Sequence, residues 1–197
     1  MDYIKQIKEH LNQSGGIITA KTCRERNIPT VYLTRLVKQG FLSRAFPGIY
    51  VTESGDYDEF YFFQYQYQKS VFSYESALYL LGVPDKIPQI MEVTVISGYK
   101  FNRRRSGVLV HFVRKDWYEL GIVETKTMFG NTVNVYSFER VLCDFIMNKK
   151  EVDPEIYVKT IRAYKDYDER NIQMLYGIAS KMGISNKVRD IMEVAFE

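Results

Sequence analysis

The tightest constraint on this chain lies in its first fifty residues. Three stretches of helical periodicity lie there, and the second and third are joined by only a few residues, so that they must cross steeply. Asp2 to Gln13 carries Ile4, Ile7 and Leu11 at i, i+3 and i+7, a buried stripe that leaves Lys5, Lys8 and Glu9 in water. Ser14-Gly15-Gly16 stops this helix, because glycine supplies the positive φ of a helix C-terminal turn. Ile17-Ile18 reads as a short extended link, and Thr19 as the cap of a second short helix from Ala20 to Arg26. Asn27-Ile28-Pro29-Thr30 is a tight turn into a third helix. Pro29 suits that start, since its φ is already helical and it has no N–H to lose. The third helix buries Leu33, Leu36 and Val37 and ends at Gly40. Residues 41–51 then form a hairpin turned near Pro47-Gly48. Helix, helix, short turn, helix, hairpin is the order of a winged helix-turn-helix.

With 197 residues, 46% hydrophobic and 26% charged, the chain has the composition of one or two ordinary globular domains, which excludes bulk disorder. No run reaches the ~18 apolar residues of a membrane span. The N-terminus lacks a signal-peptide core, so a cytoplasmic protein without membrane contact is expected. Cys23 and Cys143 are far apart and form no disulfide or CxxC pattern. With His10 and His111 they show no metal-ligand spacing, so neither a metal nor a cofactor is expected. The net charge of +3 conceals alternating blocks: residues 1–52 carry +5, 53–94 carry −5, 95–150 carry +5 and 151–197 carry −2. Two basic blocks of this kind suit a polyanion-binding surface.

The polar segment Thr52 to Asp56 marks the expected boundary between a DNA-binding domain at 1–52 and a second domain at 57–197. Asp58–Gln68 reads as an aromatic helix, and Ser73–Gly82 as another with Ser73 as cap. Strands are expected over 91–97, 107–114, 121–127 and 133–136. In the second of these, apolar residues fall on both faces around His111, which predicts a strand buried on both sides and a satisfied core histidine. From Ser137 onward the pattern is helical over 137–148, 153–164, 168–182 and 186–196. The fold class is therefore α+β: a winged helix-turn-helix, then a mixed domain with a small sheet and a helical C-terminal half.

The steep crossing of the second and third helices presents Thr30, Tyr32, Thr34, Arg35 and Lys38 outward, where they can donate to phosphates or base edges. Tyr32 has two open placements, against nucleic acid or packed on the first helix. Lys21, Arg24 and Arg26 on the second helix suit a phosphate clamp, or form a solvated face; Arg44 on the wing suits the adjacent backbone or minor groove. Arg103, Arg104 and Arg105, with Asn102, are the densest basic cluster: a second phosphate-contacting surface or a solvated loop tip. An alternative reading takes Asp116, Glu124 and Lys126, which contain the E-x-K spacing of Mg²⁺-dependent nucleases. Another is a winged-helix regulator whose second domain senses a ligand. No phosphate-binding glycine loop or nucleophile elbow is present in the sequence.

Across its length the chain resembles the AbiEi antitoxins, partners of a nucleotidyltransferase toxin in bacterial abortive-infection systems. The resemblance rests on the winged helix-turn-helix, the wing ending Pro47-Gly48-Ile49-Tyr50, the start Ser73-x-x-Ser76-Ala77-Leu78 and the helix Ser137-x-Glu139-Arg140-x-x-x-Asp144. The last motif is intelligible as structure: Ser137 caps, Glu139 lies in the first turn, and Arg140 pairs with Asp144 at i+4. The resemblance implies a non-enzymatic protein of two functions. Its N-terminal domain would bind double-stranded DNA at operator inverted repeats and repress its own operon. Its C-terminal domain would counteract the toxin without a stable complex, the type IV arrangement. The protein would be a monomer in solution that binds DNA cooperatively.

Overall fold

A computed structural model gives the structure, which describes residues 2–83, 87–101 and 106–196. Two compact units divide the chain: the first runs to Gln68 and includes Thr127–Asn131, and the second holds the rest.

In the first unit, Asp2 caps α1 (Tyr3–Gln13) by accepting from the Ile4 and Lys5 N–H groups at 3.0 and 3.1 Å. The expected link at Ile17-Ile18 is a strand, β1 (Ile17–Thr19), and Thr19 caps α2 (Ala20–Glu25) by accepting from Thr22 N–H. After α3 (Val31–Lys38) come β2 (Ser43–Phe46) and β3 (Ile49–Val51). These make an antiparallel sheet of order β1-β3-β2, with Ile17 opposite Val51 and Arg44 opposite Tyr50. The core beneath is Ile7, Leu11, Ile18, Cys23, Ile28, Leu33, Leu36 and Leu42.

The unit continues beyond the expected boundary at 52–56 through α4 (Glu59–Gln66), because Phe62 packs with Ile17 and Ile49 on the face of the sheet opposite Ile18. Buried Asp58 caps α4 through Tyr61 N–H and also accepts from the Thr127 hydroxyl and, at 2.8 Å, from the Asn131 amide. Gly15 and Gly16 do more than end α1. Their carbonyls accept from Asp56 and Thr52 N–H at 2.8 and 2.9 Å, so the 52–56 segment lies directly on them.

The second unit is built on a five-stranded sheet. It contains β4 (Val71–Phe72), α5 (Tyr74–Leu80), β5 (Met91–Ile96), β6 (Val108–Val113), α6 (Lys115–Tyr118), β7 (Ile122–Lys126) and β8 (Thr132–Tyr136). Strand order is β6-β5-β4-β8-β7, with β4 parallel to β8 and antiparallel to β5. Two expectations fail here. Among the described residues β6 is an edge strand, not a doubly buried one: Leu109 and Phe112 are 47% and 55% exposed. The Ser73 side chain does not cap α5, since its hydroxyl is buried without a hydrogen-bond partner among the described residues. The Glu92 carboxylate instead accepts from Glu75 N–H, while Glu92 N–H donates to the Ser76 hydroxyl. His111 is half-buried, 3.1 Å from the other Glu92 oxygen and stacked on Tyr74.

Four helices follow: α7 (Phe138–Met147), α8 (Pro154–Lys165), α9 (Ile172–Met182) and α10 (Ser185–Phe196). The Ser137-x-Glu139-Arg140-x-x-x-Asp144 motif is consumed in holding them. Ser137 caps α7. The fully buried Arg140 donates from Nε to both Asp144 oxygens at 3.1 Å, and from Nη1 to the Trp117 and Leu120 carbonyls. Glu139 accepts from Asn171 N–H at 2.8 Å and from the Tyr164 hydroxyl. Cys23 and Cys143 are free and buried, and burial pushes the Cys143 thiol up to about 12. No helix among the described residues is long and apolar enough to cross a membrane.

Gly16 gives a direct test of the packing. Its φ is +77° and an added Cβ would come within 2.7 Å of the Gly55 Cα, whereas at Gly40, φ +73°, it would meet open space. Gly40→Ala therefore costs only left-handed strain, about 1–2 kcal/mol. Gly16→Ala adds a backbone clash and costs about 2–4 kcal/mol in all. Urea unfolding of the two variants measures the difference, and equal losses would remove the 52–56 contact from the account.

Candidate nucleic-acid interface

The orientation of α3 is fixed by the way α2 ends. Ile28 N–H donates to the Cys23 carbonyl at 2.8 Å and Asn27 N–H to the Arg24 carbonyl at 3.1 Å, the paired bonds of a Schellman motif. Asn27 takes the left-handed conformation this needs, with φ +55°. Asparagine tolerates it because its short polar side chain hydrogen-bonds locally. Ile28, just beyond, is buried in the same cluster as Cys23 and pins the turn to the core. Helical bonding resumes at once, from Tyr32 N–H to the Pro29 carbonyl and from Leu33 N–H to the Thr30 carbonyl.

With Leu33 and Leu36 facing the core, the opposite side of α3 is set by the helical period. Val31, Thr34, Arg35 and Lys38 fall at i, i+3, i+4 and i+7, and all four are exposed. Thr30 precedes them, exposed, with a side chain that makes no capping bond. Tyr32 takes the packed placement. It is half-buried against the core, with its ring 5.2 Å from that of Tyr3 on α1. It acts on the surface indirectly, since the Arg35 guanidinium lies over its ring at 5.0 Å. The exposed face thus loses one aromatic and gains Val31, which a search for hydrogen-bonding residues passes over. The 31/34/35/38 spacing was the available signal.

The remaining expected residues are placed as follows. Lys21 and Arg24 lie on α2 and Arg26 at its C-terminus, all exposed; Arg44 is exposed on β2. Arg103, Arg104 and Arg105 lie outside the described residues. The acidic residues of the 1–52 block are all engaged elsewhere. Asp2 caps α1, Glu9 pairs with Lys5 at 4.0 Å, and Glu25 pairs with Lys21 at 3.8 Å. Among the described residues, Arg24, Arg26, Arg35, Lys38 and Arg44 have no carboxylate in ion-pair range. His10 adds no charge, because burial and then the nearby Arg26 hold it below its ordinary value. Apart from Lys21, paired with Glu25, this is a cationic surface with no carboxylate partner among the described residues.

The nuclease candidates are not assembled in this way. Asp116 on α6 is paired with Arg114, and Lys126 on β7 donates to the Thr132 hydroxyl. Among the described residues no three His, Cys, Asp or Glu side chains converge to hold a metal ion.

Residues 5–52 match a family of known proteins, described as transcriptional regulator, AbiEi antitoxin. Over these residues the chain is similar to that family. No curated protein matches the chain at a significant level. The AbiEi match begins within α1 and ends just past β3, so it takes in the α2–α3 turn, the exposed stripe and the wing. The segment similar to that family and the cationic face occupy the same fifty residues.

Tyr32 and Arg35 separate packing from surface chemistry. Tyr32→Ala removes a half-buried ring and is expected to cost about 2 kcal/mol, roughly half the loss for a fully buried aromatic. Arg35→Ala is expected to stay within about 0.5 kcal/mol of the parent. Urea melts check both, and an unchanged Tyr32→Ala stability would mean that the ring is not part of the core.

Proposed function

We propose that this protein is a DNA-binding antitoxin that represses its own toxin–antitoxin operon. In this reading two copies bind the inverted repeats of the operator cooperatively, each laying α3 in the major groove with Arg44 on the wing against the adjacent backbone. Lys21, Arg24 and Arg26 meet phosphates beside the reading helix. The observation that carries the reading is the exposed stripe of α3, which presents Thr34, Arg35 and Lys38 together within the segment matched to the regulator family. The second unit supplies the other half of the proposal: it counteracts a nucleotidyltransferase toxin without forming a stable complex with it, in the type IV manner, as part of phage abortive infection. That half rests on the resemblance of the whole chain to the AbiEi antitoxins, since the matched residues 5–52 lie in the first unit; Arg103, Arg104 and Arg105 enter the proposal only as an extension of the DNA footprint.

A mobility-shift assay on the gene's own upstream DNA, run with and without Mg²⁺, tests the reading. A shift without cleavage supports a repressor, and cleavage supports the nuclease instead. Replacing both Arg35 and Lys38 by Ala should weaken operator binding on the order of 100-fold, about tenfold for each lost charge-assisted contact. The magnitude of the log K against log[salt] slope should fall by about 0.9 for each phosphate released. Because the substitutions are confined to α3, the variant should still protect cells that express the toxin when it is supplied from an independent promoter. Unchanged affinity and slope in the folded variant would remove α3 from the interface. Loss of protection together with repression would show that the two functions are not separate.

A further inference from the structure

Three members of the α3 stripe carry hydrogen-bonding or charged groups and one does not. Val31, the first residue of the helix, is 50% exposed and takes no part in the core formed by Leu33, Leu36 and their neighbours. Neither helix formation nor capping explains it, since a β-branched residue is a poorer helix former than Ala and the cap position is Thr30. A solitary exposed apolar side chain needs no explanation on an ordinary surface. This one shares a face with Thr34 and Arg35, at the N-terminal end of the helix, where reading helices meet base edges.

Resting on the DNA-binding reading above, we propose that Val31 is a specificity-determining residue that reads the C5-methyl group of a thymine in the major groove. Thymine is the one base that offers an apolar group there. An isopropyl group pressed against guanine, adenine or cytosine would strip water from donors and acceptors and return no hydrogen bond, so those bases are penalised as thymine is favoured. The helix also fixes the neighbourhood. Val31 and Arg35 are four residues apart, about 6 Å along the axis, which spans roughly two base-pair steps of about 3.4 Å. Arg35, held by its stacking on Tyr32, is placed to pair with the O6 and N7 of a guanine. Each half-site should therefore contain a thymine within one or two base pairs of a guanine.

The experiment replaces each thymine of the upstream inverted repeat singly by uracil, which removes the methyl group and nothing else. Binding is measured for the full chain and for Val31→Ala, whose fold is checked by urea unfolding. In the wild type one position per half-site should lose about fourfold in affinity, the worth of one buried methyl group. Val31→Ala should bind thymine and uracil equally well at that position while keeping the methyl response of any other. A flat uracil scan in a wild-type protein that binds the repeat specifically would overturn this inference alone, as would a position that responds equally in both proteins. Failure of the wild type to distinguish the upstream repeat from unrelated duplex would overturn the DNA-binding reading, and this inference with it.

Discussion

The surface of the first unit depends on a three-residue event at the end of α2. Asn27 turns left-handed, its N–H and that of Ile28 close the Schellman bonds, and Ile28 drops into the core beside Cys23. Everything that follows is set by this. α3 starts at a fixed angle, Leu33 and Leu36 must face inward, and the 3.6-residue period then leaves Val31, Thr34, Arg35 and Lys38 outside. A residue that cannot tolerate φ +55° at position 27 would shift the whole of α3, not one side chain. The turn is also where local and tertiary forces agree, because the same hydrogen bonds that end one helix place the apolar residue that anchors the next.

Charge reinforces what the turn sets up. The basic block is not simply an excess of Lys and Arg. Its three acids are spent on a helix cap and on two i,i+4 pairs, one of them with Lys21, so Arg24, Arg26, Arg35, Lys38 and Arg44 stand without carboxylate partners among the described residues. Individually such i,i+4 pairs stabilise little, about 0.2–0.5 kcal/mol. Their larger effect is on the field, because an acid held beside its own helix partner is not available to quench a neighbouring face.

The features that were legible in the sequence are those with local causes. Caps at Thr19 and Ser137, the glycine stops, and the helical periods of α1, α3 and the C-terminal helices need only neighbouring residues, and the structure has them close to where the patterns put them, except that Asp2 is the cap of α1 and not its first residue and α9 starts at Ile172, four residues late, behind its cap Asn171. What escaped was non-local. β4 is two residues long, too short to show any period, and it exists because Phe72 pairs with both Val93 and Val135. β6 has the apolar run of a central strand but lies at an edge, which sequence alone does not decide. Ser73 has the chemistry of a cap yet is displaced by Glu92, a residue nearly twenty positions away. The extension of the first unit to Gln68 turns on Phe62 packing against Ile17 and Ile49. At the candidate site the same division holds: the cations were found by charge, whereas the choice between the two open placements of Tyr32 depends on its tertiary partner Tyr3.

The central claim, that α3 enters the major groove of operator DNA, is tested most directly by a hydroxyl-radical source tethered to the helix. Gln39 is exposed at the end of α3, and the native thiols of Cys23 and Cys143 are buried, so Gln39→Cys provides a single attachment point. Bound to the upstream DNA, the tethered protein should cut in two patches related by the symmetry of the inverted repeat, each offset across a major groove. Cutting spread evenly along the duplex, or none at all while specific binding persists, would contradict the account.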